Sequence, residues 1–161
     1  MRIGIRYAGN QQDAEQWVHD GFLKIFQSLE QYANAGSFEG WIKKIMVRTC
    51  LDNIRKERAK KNEVDYNTVY NEYKHAEAAH YIDNEIVAKM DMQQLIQLLN
   101  TLPDKQRTVF NLHVFEGYGH KEIAELIAIT ENHSYWLLHQ ARKNLKVNIT
   151  TIINRKEASY E

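Results

Sequence analysis

Pro103 is the only proline in a chain of 161 residues that also has just seven glycines. Folds built from many short strands need tight turns, and tight turns draw on Gly and Pro for positive or fixed φ. With so few breakers, long helices are the expected architecture. Hydrophobic residues at 43% and charged residues at 26% sit near the globular norm, which excludes a largely disordered or fibrous chain. The one cysteine, Cys50, has no partner for an intramolecular disulfide, and no apolar run approaches the roughly 18 residues of a membrane span. Residues 1–10 carry Arg2 and Arg6 but no apolar h-region, so no signal peptide or membrane insertion is expected, and the expected compartment is the cytoplasm.

The formal net charge is zero, from 21 basic and 21 acidic residues, which taken whole argues against a generic polyanion binder. Its distribution is uneven. Residues 1–62 hold eleven Lys/Arg against seven Asp/Glu, a surplus of +4; residues 63–85 hold one against six, −5; residues 86–161 hold nine against eight, +1. The acidic middle lacks a sustained apolar stripe and spaces Tyr66, Tyr70, Tyr73 and Tyr81 among charges, the pattern of a tether. The chain is therefore expected to be all-α: two small helical domains, 1–62 and 86–161, joined by a flexible linker at 63–85.

In the first domain Ala14, Val18, Phe22, Ile25 and Leu29 recur at helical spacing, widened by Trp17 and Phe26, which predicts an amphipathic helix of about five turns. Gly36 and Ser37 interrupt it, and Ser37 suits the N-cap of a second helix. Phe38, Trp41, Ile42, Ile45 and Met46 form one face of that helix; Lys43, Lys44, Arg48, Arg55, Lys56, Arg58, Lys60 and Lys61 populate the rest. Cations at a helix end complement its dipole. Aromatics beside cations at the helix start also suit single-stranded nucleic acid, because bases stack on rings while cations track phosphates. Phe38 and Trp41 fit the apolar stripe as well, so a core role is expected for at least one of them.

The second domain is expected to hold four helices. The first spans 86–100, with Ile86, Val87, Met90, Leu95, Leu98 and Leu99; Pro103 suits the first turn of the next, which carries Val109, Phe110, Leu112, Val114 and Phe115 and stops at Gly117. A short helix at 121–127 and another at 131–147, capped by Thr130 and with small Ala124 at the crossing, make a helix-turn-helix pattern. Such hairpins also occur without DNA. If the last helix reads a major groove, Asn132, His133, Ser134 and Tyr135 stand at its base-reading end. Ala128 occupies the turn, where its Cβ requires φ to stay negative.

Catalytic and metal-binding patterns are missing. His75 and His80 are five apart and share no helix face, His113 and His120 are separated by a glycine, and no Cys pair or His-Glu-x-x-His spacing occurs. Cys50 lies in an apolar helix and reads as a buried structural thiol. No Gly-rich phosphate loop or nucleophile elbow is present. An enzyme is not expected, nor is a metal or a cofactor.

The runs DAEQWVHDGFLKIFQSL, GSFEGWIKKIMVRTCLDNIRK, LPDKQRTVFNLHVFEGYGHKEIAELIAITEN and HQARKNLK, in this order and spacing, resemble bacterial extracytoplasmic-function sigma factors. The resemblance covers most of residues 5–60 and 86–147. It implies a non-catalytic factor that binds RNA polymerase core, melts a promoter −10 element through its first domain and reads a −35 element through its second. By that likeness Asp13, Glu15, Asp20 and Phe22 would dock on the beta-prime clamp helices. Phe38, Trp41, Lys43, Lys44, Arg48, Arg55 and Lys56 would grip −10 DNA. Lys121, Asn132, His133, Ser134, Tyr135, His139, Arg142 and Lys143 would meet −35 DNA. An anti-sigma partner is implied too.

The chain departs from the family pattern in several places. An additional first helix is usual before the Arg-Tyr-Ala-Gly-Asn stretch, and without it part of the stripe from Val18 to Leu29 is expected to lack a partner. Arg48 stands where Asn is common, and His19-Asp20 replaces Gln-Glu. The base-reading end lacks the usual Lys or Arg. An exposed Tyr135-Trp136-Leu137 patch would suit a protein surface. The alternative is therefore a sigma-like regulator whose last helix binds a protein of the anti-sigma type instead of −35 DNA.

Overall fold

A computed structural model describes residues 2–33, 36–60 and 91–157. The linker expected at 63–85, with His75 and His80, lies outside the described residues, as do Lys61 and residues 86–90. The chain divides into two compact units, Met1–Tyr66 and Asn67–Glu161. Every regular element among the described residues is helical. Among them, no helix is long and apolar enough to cross a membrane.

The first unit consists of α1 (Arg2–Tyr7), α2 (Gln11–Gln27), a 3₁₀ turn at Leu29–Gln31 and α3 (Phe38–Lys60). Asn10 starts α2: its backbone is extended and its side-chain carbonyl accepts from the Asp13 N–H at 2.9 Å. Ser37 starts α3 as expected, its Oγ accepting from the Gly40 N–H at 3.0 Å. Two glycines set how closely the helices approach. A Cβ on Gly4 would stand 2.5 Å from Val18 Cγ2 and 3.0 Å from the Ala14 carbonyl oxygen; one on Gly21 would stand 2.5 Å from Met46 Sδ.

The buried face of α2 is therefore Ala14, Trp17, Gly21 and Ile25, not the Ala14–Val18–Phe22–Ile25–Leu29 stripe expected from spacing. Phe22 and Leu29 are exposed by 45% and 46%, and Phe26 by 71%. Counting apolar residues misses this rotation because Gly21, which faces the Met46 side chain, adds no hydrophobic signal. Tyr7, Ala8, Met46, Val47, Cys50, Leu51 and Ile54 complete the core, and Cys50 is fully buried.

The second unit holds α4 (Met92–Asn100), α5 (Asp104–Phe110) running into a π-helical turn at Asn111–Phe115, α6 (His120–Ile127) and α7 (Glu131–Glu157). α4 begins at Met92, where Asp91 is extended and closes a capping box with Gln94; the part of the expected helix at 86–90 lies outside the described residues. Gly117, at φ +77°, follows the π-helical turn that ends α5. α7 runs ten residues past the expected end at 147, with Ile149 buried. Its core-facing stripe, Leu137, Leu138, Ala141 and Leu145, is buried where α7 packs on α4, α5 and α6, and Leu98, Leu99, Val109, Leu112 and Ile123 are also in the unit's core. Asn144 and Asn148 tie α7 to Gln106 and Thr101 through side-chain bonds of 2.8 and 2.7 Å.

The turn between α6 and α7 corrects another expectation. Ala128 has φ +55°, the one positive φ outside glycine among the described residues. Its N–H and that of Ile129 both close on the Ala124 carbonyl, which ends α6 through a left-handed residue. The Ala methyl is strained there, by about 1–2 kcal/mol. Ala128→Gly relieves that strain, and the gain exceeds the entropy glycine adds to the unfolded chain. The substitution is expected to stabilise the second unit by about 0.5–1 kcal/mol, against the usual sign of an Ala→Gly change. Urea unfolding of both proteins checks this, and a lower midpoint for Ala128→Gly contradicts it.

Candidate nucleic-acid interface

The start of α3 carries an aromatic cluster. Phe38 and Trp41 stack with centroids 5.8 Å apart and planes 19° from parallel, and Tyr32 meets both at 5.2 and 5.3 Å. The Tyr32 hydroxyl donates to the Gly36 carbonyl at 2.7 Å, which ties the connection before α3 to the rings. Gly36 has φ +96°, a conformation open to glycine. Neither Phe38, exposed by 44%, nor the half-buried Trp41 enters the core, so the core role expected for one of them is not found. Tyr32 carries no sign of this role in the sequence beyond its position six residues before Phe38, across a Gly-Ser break.

Helical geometry sorts the cations of α3. Met46, Val47, Cys50, Leu51 and Ile54 face inward, and at 3.6 residues per turn Trp41, Lys44, Arg48, Asp52 and Arg55 share the outward stripe. Lys44, Arg48, Arg55 and Lys56 are exposed, although Lys56 lies to the side of the stripe. Lys43 is half-buried and lies roughly 100° from Lys44, as consecutive helical residues do, so these two cations do not act as one. Asp52 sits within the basic stripe, 2.8 Å from Arg55 and 3.3 Å from Lys24 of α2. At 42–56% side-chain exposure these pairs position side chains more than they stabilise the fold.

The four docking residues expected on α2 fall on two faces. Asp13 and Asp20 lie seven residues apart on one side; Glu15 and Phe22, also seven apart, lie on the other. Asp20 is turned toward α3, accepting from Gln16 at 2.9 Å and from Asn53 at 3.4 Å, and Asp13 accepts from Asn10 at 2.6 Å. The Glu15–Phe22 face continues into exposed Phe26 and Leu29.

In the second unit Thr130 caps α7, its Oγ1 accepting from the His133 N–H at 3.2 Å. His133 and Ser134 are 5% and 0% exposed, so they do not present their side chains at a base-reading surface. They turn inward because the α7 core stripe places residues 133, 134, 137, 138 and 141 on one side. Leu137 is buried with them, so the expected Tyr135-Trp136-Leu137 patch does not form. The outward face is Asn132, Tyr135, His139, Arg142, Lys143 and Lys146, with Trp136 half-buried at its edge. Lys121 is exposed in the first turn of α6.

The histidines thought separate by sequence come together. His113 and His120 stack at 4.6 Å, and Tyr135 stacks on His120 at 3.7 Å. His120 Nδ1 lies 2.8 Å from Ser134 Oγ, and His113 Nδ1 donates to the Tyr118 carbonyl at 3.0 Å. Among the described residues no three His, Cys, Asp or Glu side chains converge on a metal position.

Comparison with known proteins assigns both units. Residues 1–60 match the family model of sigma-70 region 2, and residues 92–145 match that of sigma-70 region 4. The RNA polymerase sigma factor SigV of Bacillus subtilis is 30% identical over 92% of this chain and 83% of its own length. The ECF RNA polymerase sigma factor SigE of Mycolicibacterium smegmatis is also 30% identical, over 90% of this chain; the chain spans 55% of that longer protein. A solved sigma factor RpoE, in complex with the anti-sigma factor NepR from Bartonella quintana, shares the fold with a TM-score of 0.57 at 19% identity, covering 92% of this chain and 88% of that one. The chain thus belongs to the extracytoplasmic-function sigma factors of the sigma-70 family.

Proposed function

We propose that this factor opens −10 DNA on the outward face of α3 and reads a −35 element with α7 while seated on RNA polymerase core. The observation that carries this is the Tyr32–Phe38–Trp41 cluster, partly exposed at the head of the Lys44–Arg48–Arg55 stripe. An unstacked base gains about 1–3 kcal/mol against an aromatic ring, and cations behind the ring follow the backbone phosphates. The protein supplies no bond chemistry; it holds one melted strand open while polymerase carries out synthesis. Membership of the family supports transcription initiation as the function.

Core docking is assigned to the Glu15–Phe22–Phe26 face of α2, because Asp13 and Asp20 are engaged within the unit. The −35 contacts fall to the outward residues of α7 and to Lys121, with Arg142 and Lys143 on phosphates. An anti-sigma partner fits this role, as one binds the similar solved chain. The rival in which the last helix serves a protein instead of DNA loses its basis with Leu137 in the core.

Reconstitution with purified core polymerase tests the function: specific start sites are expected, and failure to bind core excludes it. Phe22→Ala with Phe26→Ala is expected to weaken core binding at least about fivefold by competition assay, as buried aromatic anchors do. Trp41→Ala is expected to reduce open complexes about tenfold by permanganate footprinting, in line with a lost stacking contact. In the salt dependence of open-complex formation, Lys44→Ala and Arg48→Ala are each expected to lower the slope by about 1, and Lys43→Ala by less. Equal effects of Lys43→Ala and Lys44→Ala contradict the assignment of the stripe.

A further inference from the structure

The front of α7 has an unusual chemistry for a helix that reads DNA. Between Glu131 and Ala141 there is no Lys or Arg, so the bidentate donors that select guanine are missing from the first turns. What stands outward there is Asn132, with Tyr135 one turn on, on the same face. Asn pairs with the N6 and N7 atoms of adenine, and an apolar surface meets the C5 methyl of thymine.

Tyr135 is held in place. Its ring lies 3.7 Å from that of His120, which in turn stacks on His113 at 4.6 Å and is fixed by Ser134 Oγ at 2.8 Å. His120 is 8% exposed and Ser134 fully buried, so this column of rings rests on the core. It joins the π-helical turn after α5, the start of α6 and the front of α7. A tyrosine so supported still keeps 39% of its surface open to solvent.

We propose that Tyr135 is a specificity-determining residue that reads a thymine methyl in an A·T-rich −35 element, with Asn132 on an adjacent adenine and His120 as the positioning residue that fixes the Tyr135 ring. This rests on the assignment of α7 to −35 DNA. An ammonium or guanidinium finds guanine through charge and hydrogen bonds, whereas an aromatic edge finds thymine by removing its methyl group from water. A rigid ring discriminates better than a mobile one, because little freedom is lost on contact.

The test uses the full chain bound to polymerase core and a promoter library randomised over the −35 region. Selected sequences are expected to carry A·T pairs opposite the front of α7. Thymines of the best sequence are then replaced one at a time by deoxyuridine, which keeps pairing and removes only the methyl. One replacement is expected to weaken binding about fivefold, the size of a modest single-pair defect. Tyr135→Phe keeps this sensitivity and Tyr135→Ala abolishes it. His120→Ala is expected to reduce it, while His120→Phe, which retains the stack and folds as a substitute ring, preserves it. A merely structural His120 would instead alter affinity for thymine and uracil alike. No uracil-sensitive position, a G·C-rich selection, or undiminished sensitivity in Tyr135→Ala overturns the proposal while leaving −35 reading intact. A selection with no −35 preference at all removes that assignment and this proposal together.

Discussion

The packing of α2 on α3, where Gly21 leaves room for the Met46 side chain, decides which residues of the first unit meet solvent. Burying one Val, Leu, Ile or Met side chain is worth about 1.5–3 kcal/mol, and α3 buries Met46, Val47, Leu51 and Ile54 on one side. The exposed pairs of Asp52 with Lys24 and Arg55 contribute about 0–1 kcal/mol each. The apolar face therefore fixes the rotation of α3, and the charges accept the places left to them. That rotation puts Trp41, Lys44, Arg48 and Arg55 in one outward line and leaves Lys43 off it.

The second unit follows the same logic with a tighter turn. α7 is anchored by Leu138, Ala141 and Leu145, and the left-handed Ala128 with the Thr130 cap sets where its first turn begins. His133 and Ser134 are drawn into the core, where Ser134 supports His120. Asn132 and Tyr135 remain outside. A burial pattern thus selects which of four consecutive residues reach the surface.

Much of this was legible in the sequence. The scarcity of Pro and Gly pointed to helices, and the caps at Ser37 and Thr130 were readable from residue type alone. Residues whose role depends on absent atoms are not: Gly21 and Gly4 shape the core through what they lack, so the apolar count turns α2 toward Phe22. Charge counts grouped Lys43 with Lys44, although neighbours in sequence diverge on a helix. The His113–His120–Tyr135 column joins three elements and has no local signature. The positive φ of Ala128 is not legible, because residue preference speaks to the average turn, while two packed helices impose this one.

The proposed orientation of α3 toward melted DNA is tested most directly by site-specific cross-linking in the open complex. A benzophenone side chain is placed in turn at Trp41, Arg48 and Lys43 of the full chain, bound to core polymerase and a labelled promoter. Cross-links to the non-template strand of the −10 region are expected from positions 41 and 48 and little from 43. Strong cross-links from 43 with none from 41 and 48 would show that another face of α3 meets the DNA.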